Sequence, residues 1–237
     1  MALPQLNSAR YQVYVPGLQK EVSFRPYLVK EEKILMMAME SNDQKQILTA
    51  VSDIIEACVF DDINVKKLAV FDVEYLFINL RQKSVGEGIN VSMKCSDEDC
   101  STENNVEVDL DKIDIPKINK EDNIIMLNDD VGITMRYPSF KDISQFKPEE
   151  LDKIDGIMSL LKLCVVNIFD SDNVHETSDI SKKELDDFID GMNSEQFSKL
   201  GGFFQDMPSL KTNLEFNCIK CGKENTTEVR GLQSFFT

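Results

Sequence analysis

No apolar run in this sequence approaches the ~18–20 residues that cross a bilayer as a helix. No run of five or more Lys and Arg occurs, and the formal net charge is −16. Such a field repels phosphate backbones, so duplex DNA or RNA is disfavoured as the main partner. It suits a solvated acidic surface or a patch that docks on a basic partner. The opening "MALPQLNSARYQVYV" has no charged segment followed by an apolar stretch. No secretory signal is read from it, and a soluble cytoplasmic chain is expected. No phosphate-binding loop is present: "VGEGIN" lacks the lysine and the following helix such a loop needs. The acidic pairs Asp61-Asp62 and Asp129-Asp130 lack calcium-loop spacing. The single histidine, His175, lies in the polar stretch "DSDNVHETSD" with no nucleophile beside it, and reads as a solvated loop residue. With no acid/base constellation, an enzyme is not expected.

What the chain does contain is one phrase written twice. "CSDEDCSTENNVEV" runs from Cys95 to Val108 and "CIKCGKENTTEV" from Cys218 to Val229. Each has two close cysteines, two residues, Glu-Asn, two residues, and Glu-Val. Val91 and Met93 alternate with polar residues before the first pair, as Leu214 and Phe216 do before the second. That is strand period two. Each phrase therefore reads as strand, tight turn with two cysteines, returning strand.

The echo extends upstream. "YQVYVPGLQKEVSFRPY" and "NIIMLNDDVGITMRYPS" both read as β-hairpins, and Val22-Ser23-Phe24-Arg25 lines up with Ile133-Thr134-Met135-Arg136. Helices follow both. Ser41 with Gln44 has capping-box spacing, and Ile47, Val51, Ile54, Ile55 and Cys58 share the face of the helix it would open. In the second half, Pro148 suits a first helical position, with Glu149-Glu150 favourable at the helix dipole. Ile154, Ile157, Leu161, Cys164, Val165 and Ile168 then form one stripe. Further helices carry Val73, Leu76, Phe77 and Leu80 in the first half. In the second they carry Leu185, Phe188, Ile189 and Met192, opened by a Ser181/Glu184 capping box. The expected fold class is α+β and internally duplicated. Two lobes, 10–115 and 122–237, would each hold a β-hairpin, two or three helices and a Cys-bearing zinc-knuckle hairpin. A pseudo-twofold axis would relate them.

The cysteines carry the chemistry. "CIKCG" after a strand has the shape of a zinc knuckle: two thiolates from one turn, with a glycine for its unusual backbone. One pair cannot complete a structural Zn²⁺ site, which takes four ligands. Cys95 and Cys100 can supply what Cys218 and Cys221 lack, giving one structural ion between the hairpins. Four thiolates leave no open position for a substrate water. Two alternatives stand beside this reading. One is a redox pair, although such pairs sit at a helix N-terminus and strand-like residues follow here. The other is free structural thiols. Cys58 and Cys164 lie on apolar helix faces and read as core thiols. Met36, Met37 and Met39 read as core or as an adaptable partner surface, and Phe235 and Phe236 as packing or docking residues.

The stretch "EVSFRPYLVKEEKILMMAMES" (Glu21–Ser41), together with the Cys-hairpin after "INV", resembles the baseplate hub subunit family of T4-like contractile-tailed bacteriophages. The resemblance covers most of the chain, and "FRPYLVKEEKILMMAMES" is its most specific part. It implies a structural or assembly role in the baseplate hub by protein–protein docking, with other hub proteins, the tape-measure protein or the spike complex as partners. The expected location is the host cytoplasm during assembly, and the resemblance leaves open whether the chain stays in the virion baseplate. It supplies no catalytic residues, and zinc rests on spacing alone. The competing class is a zinc-ribbon module for nucleic acid or a polymerase, which the acidic Cys-hairpin residues Asp97, Glu98, Asp99, Glu103 and Glu107 oppose.

Overall fold

The computed structural model describes residues 7–41, 43–113, 118, 123–151 and 153–231. Chain contacts divide the molecule into two compact units, Met1–Pro116 with Ser209–Thr237, and Lys117–Pro208. These units are divided differently from the two expected lobes: the Cys-hairpin of residues 211–230 belongs to the first unit. Antiparallel strands and helices in separate stretches make the class α+β.

The first unit opens with strands β1 (Tyr11–Val15) and β2 (Lys20–Phe24), paired with Val13 opposite Val22. Val13, Val15, Val22 and Phe24 are buried and Tyr14 is exposed, the alternation that a half-buried hairpin dictates. At its turn the Gly17 amide donates to Asp72 Oδ1 at 2.9 Å. A Cβ on residue 17 would sit 1.9 Å from Asp72 Oδ2, so any other residue there would have to displace the Asp72 carboxylate. Helix α1 (Val29–Glu40) follows, then α2 (Gln44–Cys58) and α3 (Val70–Val85). Ser41 does not cap α2. It closes α1, its hydroxyl donating to the Ala38 carbonyl at 2.6 Å. Asp43 caps α2 instead, accepting from the Lys45 and Gln46 amides at 2.9 and 3.4 Å. Both residues compete for one helix start, and the anion is the better match to the helix dipole. Val51, Ile54, Ile55 and Cys58 of α2 and Val73, Leu76, Phe77 and Leu80 of α3 are buried. Two further hairpins complete the unit. They are β3 (Gly88–Lys94) with β4 (Glu103–Asp109), and β9 (Lys211–Asn217) with β10 (Glu224–Arg230).

The second unit is a four-stranded antiparallel sheet in the order β5-β6-β7-β8, formed by Ile124–Met126, Gly132–Met135, Val165–Phe169 and Val174–Glu176. Its helices are α4 (Phe140–Ile143), α5 (Pro148–Leu151), α6 (Ile154–Cys164), α7 (Lys182–Asp190) and α8 (Ser194–Gln205). The capping box at Ser181 forms as expected: Glu184 N–H donates to the Ser181 hydroxyl at 3.2 Å and Glu184 Oε2 accepts from Ser181 N–H at 2.7 Å. The stripe from Ile154 to Ile168 is not one helix. It is helical only to Cys164 and then becomes β7. Val165, Val166 and Ile168 are β-branched, and β6 and β8 supply backbone partners on both sides, so sheet pairing overrides the helical spacing. His175 lies on the exposed edge strand β8, paired with Ile168, rather than in a loop. Ile133, Met135, Leu161, Cys164, Leu200 and Phe203 belong to the core of this unit.

Each unit ties its hairpin to the end of a helix in the same way. Arg25 N–H donates to the Cys58 carbonyl at 3.0 Å, and Arg136 N–H to the Cys164 carbonyl at 2.8 Å. Each guanidinium donates to the carbonyl of the next residue, Pro26 at 3.0 Å and Tyr137 at 3.2 Å. Each also meets a carboxylate six residues on, Glu31 at 2.9 Å and Asp142 at 2.6 Å. Those carboxylates accept backbone N–H groups at their helix starts, from Leu28 at 2.8 Å and Ser139 at 2.8 Å. Phe24 bridges Val59, and Met135 pairs with Val165. Burial pushes the Cys58 thiol up to about 11 and the Cys164 thiol up to about 12, against the pull of the neighbouring arginine. Both are inert core thiols at neutral pH.

Candidate metal centre

The two Cys-hairpins share one register. Glu103 pairs with Lys94, the residue before Cys95, and Glu224 pairs with Asn217, the residue before Cys218. Each turn is closed by the amide of its first cysteine. Cys95 N–H donates to the Thr102 carbonyl at 2.9 Å, and Cys218 N–H to the Lys223 carbonyl at 2.9 Å. The residue after each second cysteine lies in the left-handed region, Ser101 at φ 42° and Gly222 at φ 72°. The longer turn places its two extra residues over Asp97, whose carbonyl accepts the Cys100 and Ser101 amides at 3.1 and 2.9 Å.

The structure brings all four expected ligands together. The sulfurs of Cys95, Cys100, Cys218 and Cys221 lie within 4.8 Å of one another. Two gaps between the hairpins, Cys95 to Cys221 and Cys100 to Cys218, are each 3.7 Å. No disulfide joins them. A tetrahedral ion with ~2.3 Å metal–sulfur bonds separates its sulfurs by about 3.8 Å, so the crossed pairs already stand at that spacing. Cys95 and Cys218 are buried, Cys100 is half-buried and Cys221 is exposed.

Backbone N–H groups point at the sulfurs. Those of Cys221 and Lys220 bring the Cys218 thiol down to about 6. The hydroxyl and N–H of Thr102 hold the Cys100 thiol below the usual thiol range. Cys221 receives the Lys223 N–H, yet burial and the three adjacent thiols push it up to about 12. Thiols this close share protons among themselves, and a cation at their centre would favour the thiolates. The donor set is four soft sulfurs, which fits a structural ion such as Zn²⁺.

Two asparagines that sequence reasoning gave no role complete the cluster. Asn104 Oδ1 accepts the Ile219 amide at 2.8 Å, and Asn225 Oδ1 accepts the Ser96 amide at 2.8 Å. The signal was available in the repeated Glu-Asn, which sets each asparagine four residues after its second cysteine. Lys223 Nζ and Asp97 Oδ2, 3.9 Å apart, add a charge pair across the hairpins.

Of the other expected contact residues, the three methionines lie on α1. Met36 and Met37 stand on the outer face of α1 at 56% and 70% exposure, and Met39 is half-buried. Phe235 and Phe236 lie outside the described residues. No helix among the described residues is long and apolar enough to cross a membrane.

A family model described as "T4 bacteriophage base plate protein" matches residues 8–237. The baseplate hub assembly protein gp26 of Enterobacteria phage T4 is 27% identical over 223 residues, 92% of this chain and 93% of that protein. No solved structure matches.

Proposed function

This chain belongs to the T4 bacteriophage base plate protein family, and from that premise we propose that it is a structural or assembly component of the tail baseplate hub. It works by docking on other hub proteins, the tape-measure protein or the spike complex, and performs no catalysis. The observation that carries this reading is the family match across residues 8–237, supported by a relative whose name records hub assembly. The outward Met36 and Met37 of α1 supply adaptable apolar surface for such contacts. Deleting the gene from the phage tests the role. Baseplates should then fail to acquire a hub, and normal hubs would refute it. Mass spectrometry of purified virions separates a resident subunit, acting in the virion, from a factor that acts in the host cytoplasm and leaves.

Within the molecule, the proposed cofactor is one structural Zn²⁺ held by Cys95, Cys100, Cys218 and Cys221. It joins the two Cys-hairpins inside the first compact unit. The sulfur spacing and the N–H groups aimed at the sulfurs support this. Elemental analysis should find about one zinc per chain. Cys218→Ser and Cys95→Ser should each lose it and destabilise the fold. A metal-free wild type of undiminished stability would remove the ion from the account.

We also infer an internal duplication, with 10–115 and 122–237 as its copies and a pseudo-twofold between the Cys-hairpins. The paired Arg–carboxylate–Cys arrangements and the reciprocal contacts of the two turns support it. Superposing an experimental structure on itself by these ranges tests it; a failure to align both hairpins and both arginines would count against it.

A further inference from the structure

We propose that Asn104 and Asn225 are positioning residues that lock the two Cys turns together, so that the four sulfurs are assembled before a metal arrives. The argument begins with burial. Asn104 and Asn225 are 2% and 4% exposed, and a buried primary amide must find partners for both of its ends. Both share two kinds of partner, and Asn104 Nδ2 also reaches the Met93 carbonyl of its own hairpin at 3.3 Å. Nδ2 donates within its own hairpin, Asn104 to the Thr102 carbonyl and Asn225 to the Lys223 carbonyl, both at 2.8 Å. Oδ1 accepts from the other hairpin, at Ile219 and Ser96. The partners fix which end is which, since only carbonyls face Nδ2 and only N–H groups face Oδ1.

The identity of those N–H groups gives the lock its purpose. Ile219 directly follows Cys218, and Ser96 directly follows Cys95. Each asparagine therefore fixes the peptide plane beside a ligand on the opposite hairpin. Thr102 and Lys223, which receive Nδ2, are also the residues whose carbonyls close the two turns. One amide thus ties the closure of its own turn to the ligand of the other. Exchanging the hairpins converts Asn104···Ile219 into Asn225···Ser96, just as it converts Cys95···Cys221 into Cys218···Cys100. Satisfying a buried amide needs only local groups, yet these bonds join residues 115 and 129 positions apart. Residues that hold ligands in this way commonly alter metal affinity by about 10–100-fold when removed.

The role at the metal rests on the zinc reading above, whereas the lock can be measured without metal. Amide hydrogen exchange on the full chain, stripped with a chelator, should show Ile219 and Ser96 protected. Asn104→Ala should expose Ile219, and Asn225→Ala should expose Ser96, each acting on the hairpin it does not belong to. Should an alanine variant fail to fold, N104D and N225D serve instead. They keep the accepting oxygen and lose the donor, so the cross-hairpin amide should stay protected. Co²⁺ titration supplies the second readout. The wild type should give the charge-transfer and d–d bands of a four-thiolate tetrahedral site, and each alanine variant should bind 10–100-fold more weakly with band positions kept. Two results overturn the proposal: amide protection unchanged in the alanine variants, or protection lost with Co²⁺ affinity unchanged. A wild type that binds neither Co²⁺ nor Zn²⁺ overturns the metal reading and the pre-assembly role together, and the exchange data then decide the hydrogen-bond lock alone.

Discussion

Residues 20–61 and 132–170 join a hairpin to a helix end with the same parts, an arginine, a carboxylate and the backbone carbonyl of a cysteine, and then diverge. Arg25, Glu31 and Cys58 make the join in one unit, and Arg136, Asp142 and Cys164 in the other. Beyond the join, α1 runs twelve residues where α4 runs four. After Cys58 the chain makes the single bridge at Val59, while after Cys164 it continues as a strand paired on both sides. The difference shows which contacts are costly to change. The arginine satisfies backbone carbonyls and a buried carboxylate at once, so altering it strands several polar groups together. The flanking elements carry no such joint constraint and have room to diverge. Exposure differs as well: the Arg25 side chain is 16% exposed and that of Arg136 is 40%.

That contrast ranks the expected effects. Glu31→Ala leaves a largely buried guanidinium without its partner and should cost about 3–5 kcal/mol in denaturant melts. Asp72 opposes this pattern: it is buried, and it accepts the Gly17 amide rather than a guanidinium. Burial raises its carboxyl from 3.8 to about 6. Burial also opposes ionisation of Glu31, but Arg25, the Leu28 amide and Lys30 bring it down from 4.5 to about 2. The signs therefore differ. The Glu31 contribution is full above about pH 4.5 and is lost as pH falls toward 2. The Asp72 cost is full above about pH 6 and disappears as pH falls toward 4. Asp72→Asn should accordingly stabilise the protein by up to about 3 kcal/mol at pH 7–8 and by nothing near pH 4, at about 1.4 kcal/mol per pKa unit. Thermal melts across that range check it, and a gain independent of pH would contradict the assignment.

Asp142→Ala should cost less than Glu31→Ala, about 1–2 kcal/mol, because Arg136 can turn to water. A cost equal to that of Glu31→Ala would show that exposure does not separate the two joins. The smallest effect belongs to the long helix itself. Met37→Glu should change stability by no more than about 0.5 kcal/mol, since Met37 lies on the surface. It should nonetheless weaken binding to hub proteins in a pull-down. Unchanged binding would remove α1 from the docking surface.

Much of this was legible in the residues. Alternation gave the hairpin of β1 and β2, and the Ser181–Glu184 spacing gave the start of α7. The repeated phrase gave the four sulfurs that the structure gathers. The errors arose where local signals competed. Ser41 and Asp43 both suit a helix start, and spacing alone cannot rank a hydroxyl against a carboxylate beside it. Val165 to Ile168 continue a helical stripe, but only the sheet reveals the partners that extend the backbone there. His175 looked like loop because one polar strand at a sheet edge has no alternation to read. The grouping of β9 and β10 with the first unit depends on contacts more than a hundred residues apart, which no local pattern encodes; the asparagines were marked by the repeated Glu-Asn, but not the partners they reach.

The crossed pairing of the Cys turns also sets a timetable. Cys95 and Cys100 meet sulfurs 126 and 118 positions further along the chain. At roughly 5–20 residues per second, a ribosome needs roughly 6–25 seconds to cover that distance. During that interval the nascent protein carries half a cluster, with Lys117–Pro208 made in between. Translation that stops inside that stretch leaves the first unit without β9 and β10. Completion of the sulfur cluster therefore reports that the intervening unit has been synthesised.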